Sequence, residues 1–106
     1  MIISTTLIPR EFNALTIWPF MFIRQGHSGD AALIAHEMAH YREQRNCGVL
    51  PWLLLYWLSK RFRIAAEVRG YRAQIAAGGI TVDQAAQYLV QYGAGITLDR
   101  AKELLS

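Results

Sequence analysis

The hydrophobic pattern begins with a β-like character and becomes helical near residue 30. Residues 2–8 are apolar and β-branched, Pro9-Arg10-Glu11 interrupts them, and Phe12 to Ile23 forms a second β-rich stretch. Two or three short strands are predicted there. Pro19 cannot donate to a ladder, so it marks an edge, a bulge or a break between strands. Gln25-Gly26-His27-Ser28-Gly29-Asp30 reads as a turn in which Ser28 or Asp30 caps the next helix. From Asp30 to Cys47 there is neither Pro nor Gly, and Leu33, Ile34 and Met38 recur at helical spacing, predicting a helix over 30–47. Gly48 ends it. Pro51 suits the first turn of a second helix over 51–78, with a kink near Ser59 to Arg61 and a stop at Gly78-Gly79.

The tail repeats itself. Gly79-Ile80-Thr81-Val82-Asp83-Gln84-Ala85 returns sixteen residues later as Gly95-Ile96-Thr97-Leu98-Asp99-Arg100-Ala101. In each copy Thr is a helix cap, Asp favours the positive helix start, and Thr81 with Gln84 can close a capping box. Two short helices over 81–106 follow, read as a lid or buttress. The expected class is α+β: a small N-terminal antiparallel hairpin or sheet (1–29) packed on three to four helices, as one domain over 1–106.

Composition sharpens this. With 106 residues, 53% of them hydrophobic and 18% charged, the chain can bury one core without staples, and the composition argues against disorder. The net charge of +3 is small, and Lys60-Arg61-Phe62-Arg63 is the densest basic cluster, short of a nucleic-acid footprint. Cys47 is the only cysteine, so no internal disulfide forms, and it reads as a small buried residue. The N-terminus lacks a signal-peptide pattern, pointing to a cytoplasmic protein. Leu50 to Leu58 is nearly all apolar, yet nine residues cover less than half a bilayer core, so the stretch is no transmembrane segment and reads as a buried helix or a homo-oligomer contact.

The chemistry lies in His36-Glu37-Met38-Ala39-His40. On a helix, residues four apart share a face about 6 Å apart along the axis, so two imidazoles can reach one ion. Glu37, turned about 100° away, can instead reach a water on the open side of that ion. This is the HExxH arrangement of a zinc peptidase, with zinc ligands His36 and His40 and general base Glu37.

A catalytic zinc site takes a third protein ligand and keeps one open position. Of the five Glu, Glu43 would have to fold back from one turn past His40, which favours a solvated salt bridge. Glu67, in the apolar run Arg63-Ile64-Ala65-Ala66-Glu67-Val68, is the better candidate, the alternative being a pair with Arg63 or Arg69. Tyr71, one turn beyond Glu67, can reach the rim and donate to an oxyanion, or simply pack. Tyr41 and Gln44 flank the His face as candidates to orient ligands. His27, in the turn, is inert or lines the cleft.

With His36-Glu37-x-x-His40 followed by Glu67-x-x-x-Tyr71, the chain resembles the gluzincin metallopeptidases, which carry HExxH on one helix and a Glu ligand on the next. It is most similar to the small single-domain minigluzincins, some of phage or prophage kind, over Leu15 to Tyr71. The resemblance implies a minimal zincin-like fold, zinc held by His36, His40 and Glu67, and Glu37 acting as base and acid. The chain departs from large gluzincins in lacking their long C-terminal subdomain. The leading expectation is thus a zinc peptidase acting on a peptide laid along the hairpin edge. A second is a silent or latent zinc-stabilised binding module that oligomerises. A third, a di-metal carboxylate bundle using Glu37-x-x-His40, needs a second copy of that half-site, which only a symmetric dimer would supply.

Overall fold

A computed structural model describes residues 2–7, 13–26, 29–91 and 95–106. The fold is α+β, three strands followed by five helices: β1 Ile2–Thr5, β2 Ala14–Ile17, β3 Phe20–Arg24, α1 Ala31–Cys47, α2 Val49–Leu58, α3 Lys60–Ala76, α4 Val82–Val90 and α5 Leu98–Leu105. The sheet order is β1-β3-β2. β2 and β3 form the antiparallel hairpin foreseen, turning at Trp18-Pro19, but β1 pairs with the far side of β3 in parallel, so the sheet is mixed. A hairpin can deliver a strand only to its neighbour in the opposite direction, whereas the separate segment before β2 lets β1 reach the outer edge of β3 in the same one.

Alternation along β2 and β3 turns Ala14, Met21 and Ile23 to one buried face, where Leu33, Ile34, Met38 and Tyr41 of α1 cover them. Full burial of Met21 and Ile23 is worth about 1.5–3 kcal/mol each. A second core lies beyond α3, where Tyr71 meets Ala85, Ala86, Leu89, Ala101 and Leu105 of α4 and α5. Those two helices start as their sequences direct: Thr81 closes a capping box with Gln84, and the Thr97 hydroxyl accepts from Arg100 N. Helices α1 and α3 lie between the two cores and pack on each other.

The region expected to be one kinked helix over 51–78 is two helices, and the described residues form five helices rather than three to four. Ser59 adopts an extended backbone (φ −114°, ψ 111°), caps α3 by accepting from Phe62 N at 3.1 Å, and leaves the end of α2 to Arg63. Arg63 Nε donates to Tyr56 O at 3.0 Å and its Nη2 to Trp57 O at 2.9 Å. Ser side chains compete with a continuing helix ladder by capping the next one. The break turns α2 back against α1 and α3, which brings Trp52 and Tyr56 over the HExxH face.

Candidate metal centre

Asp30 fixes where α1 begins, its carboxylate accepting from Leu33 N at 3.0 Å, and therefore which residues face α3. His36, Glu37 and His40 all come out buried on that face, and Glu67 of α3 is buried opposite them. Glu67 Oε2 stands 3.2 Å from His36 Nε2, and Glu67 Oε1 stands 3.2 Å from His40 Nε2. The candidate ligand atoms of all three residues fall within 4.8 Å of one another. With bonds of about 2.0–2.1 Å, the edge of a tetrahedral site is about 3.3–3.4 Å, close to the two 3.2 Å Glu67–imidazole separations, which involve different carboxylate oxygens.

Three observations test that fit. Buried Glu67 Oε2 has no hydrogen-bond partner among the described residues, which a metal bond would satisfy. His36 Nδ1 contacts Gln74 Oε1 at 2.9 Å; with Nδ1–H donating to that oxygen, Nε2 carries the lone pair that would bind a metal. Arg63 and Arg69, the alternative partners for Glu67, are engaged elsewhere: Arg63 at the end of α2 and Arg69 with Glu43. His36, His40 and Glu67 therefore can hold a metal ion.

Glu37 is placed differently. Thr16 of β2 donates to Glu37 Oε1 at 2.8 Å, leaving Oε2 at 3.9 Å from His36 Nε2, beside the ligands but outside the set. Glu43 reaches behind His40, with Oε1 at 3.8 Å from His40 Nδ1 and its other oxygen bound by Arg69. The salt bridge expected of Glu43 is present, but it also backs a ligand.

Several residues at the site were not legible in the sequence. Helix α2 lays Trp52 beside His40 (ring centroids 5.3 Å) and stacks Tyr56 on Trp52, and Tyr56 Oη donates to Glu67 Oε1 at 3.0 Å. Tyr56, not Tyr71, is the phenol on the wall of the cavity, about 290 Å³ in volume, that Ala14, Leu15, Thr16, Trp52, Leu53 and Trp57 form around the ligands and Glu37. Tyr71 sits behind His36, ring edge to face at 4.5 Å, and belongs to the core beyond α3. Gln44 lies away from the imidazoles, where its amide fastens β2: Nε2 donates to Thr16 O at 2.9 Å and Oε1 accepts from Trp18 N at 2.7 Å. Tyr41 packs on the sheet. Cys47 is exposed rather than buried, and His27 and Glu11 lie outside the described residues.

Gly70 is the clearest missed signal. A glycine in mid-helix costs about 1 kcal/mol relative to Ala, so its presence in α3 asks for a reason. A Cβ there would lie 2.7 Å from His36 Nε2 and 2.8 Å from its Cδ2, so the bare backbone makes room for the imidazole. Gly70→Ala is expected to gain helix propensity yet displace His36 and weaken metal binding by about tenfold or more. A competition titration against a chromogenic chelator measures this; unchanged affinity would mean that the ring lies elsewhere.

Electrostatics of the metal-free site follow from its burial. Burial lowers the His40 pKa, but Glu43 and Glu67 outweigh it and push it up to about 10. Burial raises Glu67, but the two imidazoles outweigh it and hold the carboxyl well below the usual range. Tyr56 is pushed above its ordinary value by burial and by Glu67, so it stays a donor. His40, raised on folding, stabilises the fold fully below its unfolded value of 6.5 and loses that contribution as pH climbs toward 10. Glu67, lowered on folding, contributes above its unfolded value of 4.5 and loses it in acid. The chelated protein is therefore expected to be most stable near pH 4.5–6.5, with Tm falling from there to pH 10, and His40→Ala should flatten that fall. A Tm that rises over the same window would contradict the arrangement.

Compared with protein-family models, with curated proteins and with solved structures, the chain matches none.

Proposed function

We propose that the chain is a zinc-dependent peptidase of the gluzincin kind. The observation that carries this reading is the placement of Glu37, held by Thr16 beside a His36, His40, Glu67 cluster, on the wall of a cavity bordered by an edge strand. Zinc suits two imidazoles and one carboxylate in a small buried site. When bound it would polarise the substrate carbonyl and lower the pKa of a coordinated water.

The chain's own residues supply the rest. Glu37 takes the proton of the attacking water through Oε2, while Thr16 restrains Oε1, and later gives it to the leaving amine. Tyr56 gives its one hydroxyl hydrogen to Glu67 and so orients that carboxylate, while Tyr71 and Gln74 hold the His36 ring. β2 is an outer strand of the sheet. Arg24 N bonds Asn13 O toward β3, while Thr16 O and Trp18 N turn the other way to Gln44, so alternation puts the peptide groups of Ala14 and Thr16 on the outer edge. An extended peptide can add there, with its carbonyl led toward the ligands.

The test is incubation of zinc-loaded protein with a pool of peptides, with new termini read by mass spectrometry. Cleavage that stops on chelation and returns with zinc supports the proposal. One zinc per chain without new termini would favour the silent binding module, and one metal pair per dimer the bundle reading.

A further inference from the structure

We infer that the outer face of α2 docks on an anionic bilayer surface. Its inner residues, Trp52 and Tyr56, cover the site, but the opposite face is left in solvent: Leu50 is 73% exposed, Leu54 60%, Trp57 80% and Leu58 82%. At 100° per residue these four fall within an arc of about 100°, a continuous apolar stripe rather than scattered side chains. Its ten residues measure about 15 Å, half the thickness of a hydrocarbon core of about 30 Å, so the helix is suited to lie in the interface. No helix among the described residues is long and apolar enough to cross a membrane. Trp57, with an apolar ring and a polar N–H, is the residue type that settles at the headgroup level.

Charge identifies the occupant. From Gln44 to Ala66 the sequence holds Arg45, Lys60, Arg61 and Arg63 and no acidic residue. Lys60 and Arg61, exposed at the start of α3 just past Ser59, put two cations beyond the end of the stripe with no acid beside them in the chain. Anionic headgroups complement this arrangement. A second copy of the chain does not. Antiparallel pairing would set Lys60 and Arg61 of each copy against the positive start of the other's α2, and parallel pairing would set them against each other. One ten-residue helix face also offers less than the ~800 Å² per partner of a standard protein interface.

Docking places the cavity mouth, which Leu53 and Trp57 border, at the bilayer surface. If the peptidase reading holds, the substrate class is peptide segments lying on or emerging from a membrane. The docking itself is read out by lipid, so it can fail or succeed independently of cleavage.

The experiment is flotation of the zinc-loaded chain with vesicles of phosphatidylcholine alone or with about 30% phosphatidylglycerol, at low and high salt. Binding should favour the anionic vesicles by about tenfold or more and weaken with salt. Lys60→Glu/Arg61→Glu should remove that preference, and Leu54→Gln/Leu58→Gln should lower binding to both vesicle types by about tenfold, with zinc content unchanged. In the wild type, acyl chains brominated near the headgroup should quench tryptophan fluorescence, a readout that needs no variant. Absence of binding to anionic vesicles, binding indifferent to the leucine substitutions, or a dimer that closes over this stripe and excludes lipid would overturn the inference.

Discussion

Glu37→Gln is expected to keep its zinc and lose turnover. The exchange is nearly isosteric, and the Thr16 hydroxyl that donates to Oε1 can donate equally to the amide oxygen, so the side chain keeps its place. The 3.2 Å contacts of Glu67 with His36 and His40 do not involve Glu37, whose Oε2 stands farther off, 3.9 Å from His36 Nε2. What disappears is a group able to take a proton from the attacking water and pass it to the leaving amine. Because the proposed mechanism gives both transfers to this one residue, kcat/KM should fall by about a thousandfold, ~4 kcal/mol of transition-state stabilisation, with KM changing far less. Metal analysis and peptide turnover on the same preparation measure it. Retained turnover in a zinc-replete variant would remove the general-base role.

Glu67→Ala acts on the metal first. It removes the one anion among the three candidate ligands, and the remaining imidazoles share one helix, so a bound ion would lose both a bond and its tie between α1 and α3. Apparent affinity should drop by about a hundredfold or more. Zinc in thousandfold excess over Kd should stabilise the wild type by about 4 kcal/mol, on the order of 15 °C in Tm for a domain of this size; the variant should show little of that shift. Its effect on the metal-free fold is smaller, about 1–3 kcal/mol, because His40 can shed its proton once the carboxylate is gone and avoid leaving a bare buried charge. Thermal melts of chelated and zinc-loaded protein separate the two effects. Equal zinc retention and equal Tm gain in both proteins would mean that Glu67 is not a ligand.

The parts of this site legible in the sequence were those set by local periodicity. His36, Glu37 and His40 need only a helix to converge, and the uninterrupted pattern from Asp30 to Cys47 supplied one. Glu67 was found because a carboxylate in an apolar run demands a partner. The rest depends on how elements meet. Tyr56 reaches Glu67 only because α2 and α3 break apart at Ser59, while an unbroken helix makes Tyr71 look like the nearer phenol. Thr16 is an ordinary strand residue until α1 is laid across β2. The parallel pairing of β1 similarly leaves no trace in its alternation, since either direction buries the same face. Gly70 was available as a signal, since a glycine inside a helix marks a close approach.

Gln44 shows how the sheet edge is protected. An unpaired strand edge is a template on which another chain, including a second copy of this one, can aggregate. The buried carboxamide of Gln44 imitates a neighbouring strand, giving one hydrogen to Thr16 O and receiving one from Trp18 N. Indefinite cross-β stacking is thereby blocked at that end, and the peptide proposed to add at β2 would be confined to the stretch beside Ala14. Selectivity for short contacts and resistance to fibril growth would then come from the same side chain.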